Sequence, residues 1–181
     1  MFLKHLSSKM DYFEFYGLPV SFSPDAAEVK KQFYALSKKY HPDFYINESA
    51  EKQDEVLELS TLNNKAYQVL SDPQKLLPYV LELKGLVTEG EHYTLPQDFL
   101  MEMMDVNEAL MDLQFDPDAE KLAVQVKEID TIEQSMQAEL AKLKTQFDVS
   151  GDADDLLKIK DLYYRTKYLY RIRESLAKIK A

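Results

Sequence analysis

The stretch FYALSKKYHPD, Phe33 to Asp43, joins the end of a helical pattern to a proline stop. Upstream of it, Ala26, Val29, Phe33, Leu36 and Tyr40 recur three and four residues apart, one stripe at 3.6 residues per turn. That spacing predicts an amphipathic helix, opened by Ser23-Pro24 with proline at the first helical position. Lys31 and Lys38 fall about opposite the stripe, with Lys30 and Tyr34 on the flank, so a basic strip is expected on the solvent side. Pro42 disfavours the α conformation at His41, which stops the helix and starts a loop. Downstream, a second helical run from about Ser49 to Leu70 carries Val56, Leu59, Leu62, Ala66 and Val69 on one side and ends at Ser71-Asp72-Pro73. Two helices of similar length joined by a short loop are expected to pack antiparallel.

Working outward, Asp11 to Gly17 (DYFEFYG) predicts a short aromatic helix ended by glycine, and Met1 to Met10 reads as a frayed extension, with a transit peptide as the alternative. An apolar segment from Leu76 to Leu83 precedes Gly85 and Gly90. A first domain is therefore expected over 11–84, a linker over 85–95 and a second domain over 96–181. The second domain reads as three helices, Pro96 to Leu113, Asp118 to Phe147 and Ala153 to Ile179, separated by Asp116-Pro117 and Ser150-Gly151-Asp152. In the middle helix Leu122, Val126, Ile129, Met136, Leu140, Leu143 and Phe147 keep the three-and-four spacing. It is broken where Glu133 falls, next to Ile132, and the pattern predicts a coiled-coil-like bundle.

Only four glycines, no tryptophan and long runs of Leu, Lys, Glu, Ala, Met and Gln favour helix throughout, so the expected class is all-α. With no cysteine there is neither a disulfide framework nor a thiolate metal site, and a reducing, cytoplasmic-type compartment fits, or a mitochondrial matrix in a eukaryote. No apolar run is long enough to span a membrane. A formal charge of −10 opposes nonspecific binding to nucleic acid or to an anionic membrane. No phosphate-binding glycine loop, no nucleophile paired with a base and no zinc-ligand spacing is present, so neither an enzyme nor a bound cofactor is expected.

FYALSKKYHPD, followed by LNNKAYQVLSDP from Leu62 to Pro73, resembles the two hallmark stretches of J domains in order and spacing. The resemblance implies that His41, Pro42 and Asp43 lie in the loop between the second and third helices and contact a DnaK-type chaperone, with basic residues of the preceding helix beside them. Asp43 can accept charge-assisted hydrogen bonds from a partner arginine. Pro42 fixes the loop, His41 holds its shape, and Lys30, Lys31, Lys38 and Lys39 speed encounter with an acidic surface. A basic residue commonly follows the tripeptide in that family. Here Phe44-Tyr45 stands instead, expected to pad the loop against its flanking helices.

An N-terminal J domain without a Gly/Phe-rich linker or a Cys-rich module, followed by a three-helix bundle, resembles the HscB family from Asp11 onward. The stretch DFLMEMMDVNEALMDL, Asp98 to Leu113, is the most similar outside the J domain. A core stripe through Phe99, Met103, Val106, Leu110 and Leu113 leaves Leu100, Met101, Met104 and Met111 on another side, interleaved with Glu102, Asp105, Glu108 and Asp112. An apolar patch with an acidic rim suits docking, and methionines suit adaptable surfaces. The resemblance implies that this face binds an IscU-type iron–sulfur scaffold through Leu100, Met101, Met104, Asp105, Glu108 and Asp112, with Tyr168 from the last helix. The expected function is to stimulate the ATPase of a DnaK- or HscA-type chaperone and to deliver the scaffold to it.

Three other readings compete. A J protein could carry an unrelated client. The pair Glu89 and His92 could ligate a metal, although it lies among linker glycines with only His5 and His41 as further imidazoles. The last helix interleaves Arg165, Lys167, Arg171, Arg173, Lys178 and Lys180 with tyrosines 163, 164, 168 and 170, as a nucleic-acid surface would. The preferred account of that helix is internal: the tyrosines fill the bundle, and the cations balance the acidic middle helices.

Overall fold

The computed structural model describes residues 10–88 and 90–180; the expected N-terminal extension lies outside them apart from Met10. Among the described residues the chain is all-α, with seven α-helices, one 3-10 turn and no strand. It divides after Gly85 into two compact units.

The first unit holds α1 (Tyr12–Tyr16), α2 (Ala26–Lys39), the 3-10 turn Pro42–Tyr45, α3 (Ala50–Leu70) and α4 (Pro73–Leu83). The α1 helix ends where Gly17 takes φ 66, a left-handed conformation open to glycine without steric cost. The α2 helix starts at Ala26, two residues past the expected Ser23-Pro24. The Asp25 carboxylate accepts from the Ala27 and Glu28 amides, and that cap outweighs the proline signal. Of the α2 stripe, Val29 is fully buried, while Phe33 stacks on Tyr67 of α3 with centroids 4.2 Å apart. Ala26 is exposed, and Leu36 and Tyr40 are half-buried.

The buried face of α3 runs through Val56, Asn63, Ala66 and Leu70, rotated from the expected stripe so that Leu59, Leu62 and Val69 are only half-buried. The rotation brings Asn63 into the core, where its amide donates to the Phe33 carbonyl (3.1 Å) and the Ser37 hydroxyl (2.9 Å). The Tyr16 hydroxyl donates to its Oδ1 (2.9 Å). One polar side chain thus ties α1 and the last turns of α2 to α3, satisfying groups that would be costly to bury unpaired. Phe13, Phe22, Val80 and Leu81 complete this core.

The second unit holds α5 (Gln97–Phe115), α6 (Ala119–Ser150) and α7 (Ala153–Lys180), packed as a three-helix bundle. Asp118 caps α6 through the Glu120 and Lys121 amides, and Gly151 at φ 67 ends it. All five expected α5 core residues are buried, with Ile129, Met136, Leu143 and Phe147 from α6 and Ile159, Leu162, Leu169, Ile172 and Leu176 from α7. Each contributes about 1.5–3 kcal/mol of burial free energy, to be set against chain entropy. Where Glu133 interrupts the α6 stripe, the position is used electrostatically: Arg173 of α7 donates to both Glu133 and Asp130.

The expected linker contains a segment fastened to this bundle. Tyr93 stacks on Tyr164 (4.3 Å, 7°) and donates to Asp161 (2.8 Å), while Glu91 pairs with Lys160 and accepts from the Tyr164 hydroxyl.

Candidate functional site

Two surfaces carry the residues singled out in the sequence. In the first unit, the chain leaves α2 at Tyr40 and enters the 3-10 turn with His41 as its N-cap. The His41 Nδ1 accepts from the Asp43 amide (3.3 Å), a bond that needs this nitrogen unprotonated. The His41 side chain is thereby spent on the shape of the turn. Asp43 has 76% of its side chain exposed, with one carboxylate oxygen 3.7 Å from the same His41 nitrogen.

The rest of the loop is tied inward. The Tyr45 hydroxyl donates to the Lys39 carbonyl (2.9 Å), one of the α2 C-terminal acceptors that no helical amide can reach. Gln53 of α3 donates to the carbonyls of Ile46 and Glu48 (3.1 and 2.9 Å). The expectation that both aromatics pad the loop therefore holds for Tyr45 and fails for Phe44, which is 68% exposed and meets the His41 ring in a tilted contact at 5.7 Å. In a tight turn, consecutive side chains point apart, so one goes back to the helix and the other outward.

Lys30, Lys31, Lys38 and Lys39 are all exposed on α2. Lys31, Tyr34 and Lys38 fall on one strip at spacings of three and four, with Tyr34 61% exposed. Lys31 is shared with Glu28 (3.0 Å), and Lys39 lies over the Tyr40 ring at 5.1 Å. The arrangement makes a cationic strip ending at an exposed carboxylate.

In the second unit, Leu100, Met104, Glu108, Met101, Asp112 and Asp105 follow one another around α5 within an arc of roughly 140°. That arc lies on the far side of the helix from Phe99, Met103, Val106 and Leu110. Met101, Met104 and Met111 are 60%, 68% and 58% exposed, and Glu102, Asp105, Glu108 and Asp112 are exposed beside them. Leu100 is half-buried. Tyr168 is placed differently: its ring lies edge-on to Phe99 (5.9 Å, 77°) and its hydroxyl accepts from the Asn107 amide (3.2 Å). It is half-buried and braces α5 from α7. Exposed Phe115 and Val124, 84% and 61%, were missed by the sequence reading, which ended α5 at Leu113.

The cations of α7 are largely engaged within the unit. Arg165 pairs with Asp161 and lies over the Phe99 ring, Lys167 lies over Tyr163 and Tyr164, and Arg173 holds α6. Tyr163, Tyr164 and Tyr168 are half-buried; Tyr170 is 65% exposed. Glu89 and His5 lie outside the described residues, and His92 is exposed. Among the described residues no group of three His, Cys, Asp or Glu is placed to hold a metal, and no helix is long and apolar enough to cross a membrane.

Comparison with known proteins follows the same division. A family described as DnaJ domain matches residues 11–79, and one described as HSCB C-terminal oligomerisation domain matches residues 95–177. A co-chaperone protein HscB homolog from Vibrio cholerae serotype O1 is 31% identical over 170 residues, covering 92% of this chain and 99% of the relative. One from Haemophilus ducreyi is 35% identical over 136 residues, 74% of this chain and 79% of its own. The chain is similar to the crystal structure of human co-chaperone protein HscB, with TM-score 0.68 and 25% identity over 95% of this chain and 83% of that one. It is also similar to chaperone HscB from Vibrio cholerae, with TM-score 0.54 and 28% identity over 92% and 99%.

Proposed function

This chain belongs to the HscB family of co-chaperones, and on that premise we propose that it stimulates ATP hydrolysis by a DnaK- or HscA-type chaperone while presenting to it an IscU-type iron–sulfur scaffold. The observation that carries the reading is the way the His41 to Asp43 turn is spent: His41 and Tyr45 are consumed in holding the turn, and Asp43 is offered to solvent at the end of a lysine strip. A carboxylate so held loses little entropy on pairing with a partner arginine, and the resulting bonds are about twice as strong as neutral ones. Lys30, Lys31, Lys38 and Lys39 supply the long-range attraction that raises the encounter rate.

The scaffold docks on the Met101, Met104 and Leu100 face of α5, with Asp105, Glu108 and Asp112 setting its orientation. Tyr168 joins from α7 at the edge of that face, where its hydroxyl meets Asn107, roughly 20° from Leu100 around α5. Chemistry at ATP belongs to the partner chaperone; this protein contributes recognition, and carrying both contacts on one chain raises the local concentration of client at the chaperone.

The test is single-turnover ATP hydrolysis by the cognate chaperone with wild-type protein, Asp43→Ala, and purified scaffold. Stimulation is expected to vanish in Asp43→Ala and to grow when scaffold is added to wild type. Stimulation that ignores the scaffold would leave the chaperone contact standing and remove the iron–sulfur client. No stimulation by the folded wild type would sink the proposal entirely.

A further inference from the structure

The exposed face of α5 continues past Asp112. Phe115, the last residue of the helix, follows Met111 by four positions and falls within roughly 40° of both Met104 and Met111 around the helix axis. It is 84% exposed, and Val124 on α6 is 61% exposed. Between them lies a cavity of about 530 Å³ with Leu113 and Gln125 in its lining and Asp112, Asp116 and Lys121 at its polar edge.

The Oε1 of Gln125 is shielded from solvent and accepts no hydrogen bond within the protein. Closed to solvent as it stands, that acceptor is reached only when the Gln125 side chain turns toward the groove it lines, where an incoming donor satisfies it. Apolar walls, an unmet acceptor and two carboxylates describe the chemistry of a particular guest. Its stem must be aliphatic and its head must be a cationic N–H donor.

We propose that this groove is a second recognition subsite for the client of the α5 face, taking a lysine or arginine side chain whose stem lies between Phe115 and Val124. Its head donates to Gln125 Oε1 once that side chain turns into the groove, and Asp112 and Asp116 balance its charge. The proposal rests on the client reading of the methionine face, with which this surface is continuous along α5. A second copy of the chain is the poorer occupant. From Gln97 to Asp116 there are six acids and no lysine or arginine, so two copies meeting on this face would oppose acid to acid in a chain of net charge −10. Lys121 is one cation at the mouth against two carboxylates.

The test is calorimetric titration of the full chain with purified IscU-type scaffold, comparing wild type with Phe115→Ala, Gln125→Leu and Met104→Ala, alongside far-ultraviolet dichroism. Phe115 is a surface residue and Gln125→Leu removes an unmet acceptor, so both variants are expected to keep the wild-type fold. Affinity is expected to fall about tenfold in Phe115→Ala and several-fold in Gln125→Leu, in addition to a loss in Met104→Ala. Loss in Met104→Ala alone would overturn the subsite and keep the client reading. A wild type that does not bind scaffold would overturn both. A concentration-dependent dimer in sedimentation that Phe115→Ala abolishes would assign the groove to a second copy and overturn the proposal.

Discussion

Asn63 and Phe44 show how little residue type alone says about position. An asparagine midway along an amphipathic helix belongs by composition to the solvent side, yet Asn63 is 1% exposed and Phe44 is 68% exposed. Asn63 is buried because three neighbours meet its amide: Phe33, Ser37 and Tyr16, twenty-six to forty-seven residues away and invisible to a local pattern. Replacing it with alanine leaves the Ser37 and Tyr16 hydroxyls with fewer partners and opens a small void. Asn63→Ala is expected to destabilise the first unit by about 1–3 kcal/mol, whereas Phe44→Ala should stay within about 0.5 kcal/mol. Urea unfolding followed by dichroism would rank the two; equal effects would mean that the Asn63 bonds contribute nothing net. The turn at His41 to Asp43 was legible because proline imposes a local backbone constraint that needs no distant partner.

At the scale of the element, legibility follows the burial pattern. The α5 core was readable in full because Phe99, Met103, Val106, Leu110 and Leu113 are all buried against α6 and α7, so the pattern and the packing coincide. The α2 start and the α3 rotation were not, since each turns on one polar side chain, Asp25 in the first case and Asn63 in the second. The segment around Glu91 to Tyr93 was read as linker because glycines flank it, while its anchors on α7 lie some seventy residues on. Those anchors leave a titration signature. Burial, then the hydrogen bond to Asp161, pushes the Tyr93 hydroxyl up to about 12; burial and Glu91 do the same for Tyr164. A phenol whose folded value is raised stabilises the fold fully below its ordinary value near 10, and that contribution is lost as pH rises through about 12. Phenolate absorbance should show these tyrosines ionising late, and Tyr93→Phe should flatten the alkaline fall in stability. A wild-type titration complete near 10 would contradict the anchored geometry.

For the whole molecule, the division after Gly85 puts the His41 to Asp43 turn in one unit and the methionine face of α5 in the other. If the two contacts cooperate only because one chain carries both, the client's gain is an effective-concentration effect set by the tether. For a flexible tether that concentration falls roughly as the −3/2 power of length. Lys84 and Gly85 are exposed where the two units divide, and the Glu91 and Tyr93 anchors lie beyond them, so a Gly-Ser insert after Gly85 lengthens the tether without unfastening those anchors. Basal, Asp43-dependent stimulation of the chaperone should be unaltered by inserts of any length. The co-chaperone–scaffold concentration giving half-maximal stimulation should rise roughly eightfold between a short insert and one four times longer. The readout is the single-turnover ATPase assay across an insert series. A response that ignores insert length would mean the scaffold acts through the chaperone alone, and an abrupt loss with the shortest insert would mean that the two units must meet their partners in one fixed orientation.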